Sequence, residues 1–149
     1  MSMLTPRIRP IDVLLVEDNP GDVRLTQEAL RRSGAAVHVH VVNDGEKALE
    51  FLRRSGAYRE APRPRVVLLD LGLPGKHGRE VLAEAKADPA LSRIPVIVVS
   101  AERSPDEVTA SYDHHANAYV TKPDNIGRFE SMVRAFEDFW LRCAILPEE

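Results

Sequence analysis

The chain has 149 residues, 44% of them apolar and 29% charged, which fits one soluble globular domain with a proper core. A formal net charge of −3 gives no general attraction to nucleic acid or to an anionic membrane, and the longest apolar runs are strand-sized, so no membrane span is expected. The opening MSMLTPRIRP lacks the apolar stretch of a signal peptide, and a single cysteine, Cys143, rules out an internal disulfide and fits a reducing cytoplasm.

Residues 1–10 read as an N-terminal tail and residues 11–149 as one domain with an extended C-terminal helix. Ile11 to Glu17, IDVLLVE, is a continuous apolar run, the mark of a strand covered on both faces. Asn19-Pro20 predicts a helix start, a capping side chain followed by proline at the first helical position. That helix carries Val23, Leu25, Ala29 and Leu30 and ends at Ser33-Gly34. Ala35 to Val42 alternates as an edge strand would, and Asn43-Asp44-Gly45 turns into a helix with Ala48, Leu49 and Leu52. A longer connection, RSGAYREAPRPR, leads to Val66-Val67-Leu68-Leu69, which runs straight into Asp70.

A third helix follows Gly78, with Val81, Leu82 and Ala85 on one face. Pro95 to Ser100 is the fourth strand, and Ser104-Pro105 opens the fourth helix. Ala116 to Val120 is a short fifth strand ending in Thr121-Lys122-Pro123, and the last helix runs from about residue 124 to about residue 145. Five strand–helix repeats predict an α/β fold, a doubly wound five-stranded parallel sheet with helices on both faces. The alternating second strand suits an edge, so the expected order is 2-1-3-4-5. Ligands in such sheets gather outside the carboxyl ends of the strands.

At those ends the sequence places Glu17 and Asp18 after strand 1, Asp70 after strand 3, Ser100 after strand 4 and Lys122 after strand 5. Each alone has a bland reading as a cap, a turn or a solvated side chain. Together they crowd three carboxylates on one edge, where two like charges about 4 Å apart repel by about 4 kcal/mol at an effective dielectric near 20. One lysine does not balance that. The donors are oxygens, which selects a hard cation with Mg2+ foremost, and such a site usually also takes a phosphate oxygen.

The acidic turn EDNPGD lacks the G-x-G-x-x-G of dinucleotide binding, and Gly75-Lys76-His77 lacks the spacing of a P-loop. A small Mg2+-dependent phosphohydrolase with Asp70 as nucleophile is the alternative. It normally needs a second Asp two residues on, where this chain has Gly72. A carboxylate that accepts and holds a phosphoryl group is the remaining reading, with the protein not an enzyme.

At VEDN, LLDLGLPG, VVSA and AYVTKP the sequence resembles the receiver domain of bacterial two-component response regulators, a flavodoxin-like fold. The closing FEDFWLRCAILP and the long loop before strand 3 resemble the phytochrome-associated single-domain regulators. The resemblance implies that Asp70 accepts a phosphoryl group from a histidine kinase, with a bacteriophytochrome as candidate donor. It implies Mg2+ on Glu17, Asp18, Asp70 and the Gly72 carbonyl, with Ser100 and Lys122 on the phosphate. Tyr119 matches the aromatic switch residue that turns inward when Ser100 is drawn to the phosphate. An interaction-only pseudo-receiver is a third reading, and the complete residue set argues against it.

No output domain is expected beyond the last helix, so the signal is expected to leave through a surface. A core stripe of Ile126, Phe129, Val133, Phe136 and Trp140 leaves Phe139, Leu141 and Ile145 over. Surplus aromatic residues favour a partner face, and the resemblance implies a homodimer through helix 4, strand 5 and helix 5 with Phe136, Phe139, Trp140 and Ile145 in the interface. His38 and His40 share one face of the edge strand, but the sequence assigns no further ligands for a zinc site there.

Overall fold

The unbroken apolar run Val66–Leu69 forms the central strand β3, and all four side chains are buried because both faces of the sheet are covered. Around it stand β1 (Ile11–Val16), β2 (Val37–Val42), β4 (Val96–Ser100) and β5 (Ala118–Thr121), all parallel, in the order β2-β1-β3-β4-β5. This computed structural model describes residues 10–34 and 36–148; the tail expected at residues 1–10 lies almost wholly outside them, as does Ala35. The second strand is at the edge, as its alternation predicts, and begins at Val37.

The helices are α1 (Pro20–Arg32), α2 (Gly45–Arg53), α3 (Gly78–Ala87), α4 (Pro105–Asp113) and α5 (Ile126–Phe136). Asn19 accepts from the Asp22 N–H and Asp44 from the Lys47 N–H, so two of the predicted turns are side-chain caps. One face of the sheet packs Leu14, Val16, Leu69 and Val98 against Leu49 of α2 and Leu82 of α3. The other packs Val13, Leu15, Leu68 and Ile97 beneath α1 and the C-terminal helix. The long connection before β3 holds a 3-10 turn, Gly56–Tyr58.

The C-terminal helix departs from expectation. Its α-helical part stops at Phe136, and Glu137–Cys143 continue with π winding before Ala144 leaves in an extended conformation. The wider turn inserts a residue into the 3.6-residue pattern. Phe136, Trp140 and Leu141 therefore all lean on the sheet, and Leu141, expected to be left over, joins the core. Ile126, expected in the stripe, is the first helical residue and stands 63% exposed.

Candidate functional site

Strand pairing continues one residue past the strand ends and draws the polar groups together. The Glu17 N–H donates to the Val42 carbonyl at 3.0 Å, and the Asp70 N–H donates to the Val16 carbonyl at 3.0 Å. These bonds hold Glu17 and Asp70 side by side, and a Lys122 N–H to Ser100 carbonyl bond of 2.8 Å does the same on the other flank. Behind Asp70, α3 begins under pressure. A Cβ at Gly78 would stand 2.4 Å from the Asp70 carbonyl oxygen and 2.5 Å from the Leu71 Cα, so only glycine lets the helix start this close.

Carboxylate oxygens of Glu17, Asp18 and Asp70 lie within 4.8 Å of one another. The Lys122 ammonium reaches into the same pocket, 3.2 Å from Asp70 Oδ2, 2.9 Å from Asp22 Oδ2 and in contact with Glu17 Oε1. Glu17 Oε2 accepts from the Asp18 N–H at 3.1 Å. Burial, reinforced by the neighbouring Asp70 carboxylate, pushes the Glu17 carboxyl up to about 8. Burial would lower the Lys122 ammonium, but its hydrogen bonds to Glu17 and Asp22 prevail and hold it above the usual lysine range. Four carboxylates thus face one ammonium, with oxygen donors alone, which is the donor set of a hard divalent cation.

Ser100 is buried at the end of β4, and its Oγ accepts from the Glu102 N–H at 3.1 Å. The Tyr119 hydroxyl donates to the Glu102 carbonyl at 2.7 Å, while its backbone N–H donates to the Tyr112 hydroxyl at 3.1 Å. One loop residue, Glu102, therefore holds both Ser100 and Tyr119. Asp70, Gly72, His77, Ser100 and Lys122 line a cavity of about 320 Å³ at the sheet edge. Gly72 presents its N–H to Asp70 Oδ1 at 3.2 Å, and a Cβ there would meet no atom within 4 Å. His77 is used locally, its Nδ1 accepting from the Arg79 N–H to cap α3.

Two groups escaped the sequence reading. Asp22 shares Lys122, and the signal was its place in the first turn of α1, four residues after Asp18. Arg79 of α3 pairs with Glu107 of α4, which lines this cavity, a contact between distant segments that no spacing announces. Of the residues expected at a partner face, Phe139 is 56% and Ile145 99% exposed, whereas Phe136 and Trp140 are half-buried over the sheet. Phe136, Phe139 and Trp140 also line an apolar cavity of about 400 Å³ under α5 that reaches Asp70 and Lys122.

A doubly wound sheet with an acidic pair after β1, a lone aspartate after β3, a hydroxyl after β4 and a lysine after β5 is a phosphoacceptor receiver architecture. The response regulator receiver domain family matches residues 13–134, and the chain belongs to that family. Response regulator Rcp1 of Synechocystis sp. is 46% identical over 138 residues, which are 93% of this chain and 94% of that protein. The crystal structure of its Mn2+-bound form superimposes with a TM-score of 0.90, over 93% of this chain and 100% of that one. The phosphorylated cyanobacterial phytochrome response regulator RcpA is 48% identical with a TM-score of 0.91, covering 93% of this chain and 99% of that one. The bacteriophytochrome response regulator AtBRR is 38% identical with a TM-score of 0.72, covering 95% and 100%. Among the described residues no helix is long and apolar enough to cross a membrane.

Proposed function

We propose that this response regulator is the switch of a two-component relay, that residues 11–149 act as the receiver with residues 1–10 as a tail, and that Asp70 takes a phosphoryl group from a histidine kinase. One observation carries this reading: Lys122 bridges Glu17 and Asp70 inside a single acidic pocket at the carboxyl edge of the sheet. The Asp70 carboxylate attacks phosphorus, and the P–O bond forms as the P–N bond to the donor histidine breaks. Lys122, already 3.2 Å from Asp70, offsets the added negative charge. Glu17, Asp18, Asp70 and the Gly72 carbonyl would hold Mg2+, which would supply positive charge beside the transferred group. The all-oxygen donor set favours it, and the Mn2+-bound form of Rcp1 supports a divalent ion in this kind of pocket.

Ser100 then turns its hydroxyl to the phosphate and releases the Glu102 N–H. Because the Glu102 carbonyl also anchors Tyr119, moving that peptide frees the ring to turn inward and shifts the surface formed by α4 and β5. We take the donor to be a kinase of the phytochrome class, because RcpA is a phytochrome response regulator and AtBRR a bacteriophytochrome response regulator, and we place the relay in the cytoplasm. The output is a homodimer through α4, β5 and the C-terminal helix, with Phe136, Phe139, Trp140 and Ile145 at or under the contact. The protein is a signalling switch and not an enzyme; slow loss of its own phosphate is its only turnover.

Incubation with acetyl phosphate and Mg2+, followed by intact-mass measurement, tests the acceptor. The wild type gains the mass of one phosphoryl group, and Asp70→Asn gains none while keeping its circular dichroism spectrum. Equal labelling of the two proteins would remove Asp70 from the role.

A further inference from the structure

Far from the acidic pocket, toward the opposite end of the sheet, the edge strand β2 and its neighbour β1 bring three side chains of metal-ligating type near one another. Asp12 of β1 is in register with His38 of β2, and alternation puts His40 on the same face. Asp12 Oδ1 lies 2.8 Å from His40 Nε2 and 3.8 Å from His38 Nδ1. Ligands at about 2.0–2.2 Å from a tetrahedral ion stand roughly 3.3–3.6 Å from each other, a spacing that these two distances bracket. The ring of Phe51, from α2, lies 5.4 Å from that of His40 and is itself backed by Tyr58, so one ligand is held in place. The other is adjustable. The His38 side chain is 66% exposed and its ring centroid stands 6.5 Å from that of His40, so joint ligation requires His38 to turn toward its neighbour.

We propose that Asp12, His38 and His40 form a second cation site, for a borderline-soft divalent ion such as Zn2+, with the remaining position left to water. Two imidazoles and one carboxylate suit such an ion and not Mg2+, whereas the pocket around Asp70 has only oxygens. The two sites therefore sort ions by chemistry. An ion here would add a side-chain tie between β1 and the edge strand β2 to their backbone pairing.

The test titrates the untagged full chain with Zn2+ under saturating Mg2+, so that the acidic pocket is filled. Cys143→Ser serves as background, because Cys143 is an exposed thiol. Imidazole resonances are followed by NMR. The expected result is one Zn2+ bound, shifts confined to the rings of His38 and His40, and affinity lowered about tenfold or more by His38→Ala and by Asp12→Asn. His38 is largely exposed, so its replacement leaves the fold and the labelling of Asp70 unchanged. Equal Zn2+ affinity in His38→Ala and the parent would overturn the proposal. So would shifts at His77, His114 or His115 in place of the β2 pair, or loss of Zn2+ binding in step with Mg2+ added.

Discussion

Lys122→Met tests the electrostatics on which the site rests. The wild-type ammonium is 12% exposed and touches Glu17, Asp22 and Asp70, of which Glu17 is 4% and Asp70 13% exposed. The pairs with Asp22 and Asp70 are each worth about 4 kcal/mol of gross attraction at about 4 Å and an effective dielectric near 20. Desolvation opposes most of that, yet removing one partner of a buried pair costs about 3–5 kcal/mol because the remaining charge is stranded. Glu17 relieves part of the strain by staying protonated, since burial already pushes it up to about 8. We therefore expect the lower end, a loss of about 3 kcal/mol in urea unfolding with EDTA present.

Mg2+ brings the second half of the experiment. Any ligand of the native state stabilises it by about 2.7 kcal/mol at a hundred times its Kd. Without the competing ammonium the ion binds more tightly, so at one Mg2+ concentration the variant recovers more stability than the wild type gains. The same variant, saturated with Mg2+, labels more slowly with acetyl phosphate. Unfolding in EDTA within about 0.5 kcal/mol of the wild type, or equal Mg2+ stabilisation of both proteins, would refute the reasoning.

Three other predictions concern the loops, the proton and the exit surface. Gly78→Ala drives a Cβ into the Asp70 carbonyl and is expected to cost about 1–3 kcal/mol in urea unfolding, whereas Gly72→Ala, with open space around it, stays within about 0.5 kcal/mol. The Glu17 proton is held up to about 8 in the native state and leaves near 4.5 in the unfolded chain, so the metal-free protein loses stability as pH rises between those values. Mg2+ displaces that proton; the Mg2+-induced rise in Tm should therefore grow from pH 5 to pH 8, and a constant increment in calorimetry would contradict it. Replacing the exposed Phe139 and Ile145 by Ser leaves stability within about 0.5 kcal/mol, and sedimentation should show the dimer weakened; an unchanged dimer would place the contact elsewhere.

Much of this architecture was legible in one dimension. The run Val66–Leu69 ends on Asp70, and a strand buried on both faces reads as central without any coordinates. Asn19-Pro20 marked the start of α1, and the alternation of Val37–Val42 marked an edge. Once the strands are parallel, their carboxyl ends share one rim, so Glu17, Asp18, Asp70, Ser100 and Lys122 had to approach each other. Hydrophobic period and turn chemistry are properties of neighbouring residues, and they suffice for this much.

Other features arise only when distant segments meet. Asp22 joins the Lys122 cluster, the Glu102 peptide holds both Ser100 and Tyr119, and Asp12 stands between His38 and His40. The π winding that returns Leu141 to the core is also decided by packing against the sheet. Sequence periodicity determined which rim and which face the residues of the strands and of the first helices occupy. Only the folded chain determined which side chains touch across them, because a hydrogen bond depends on tenths of an ångström set by strand register, helix placement and rotamer together.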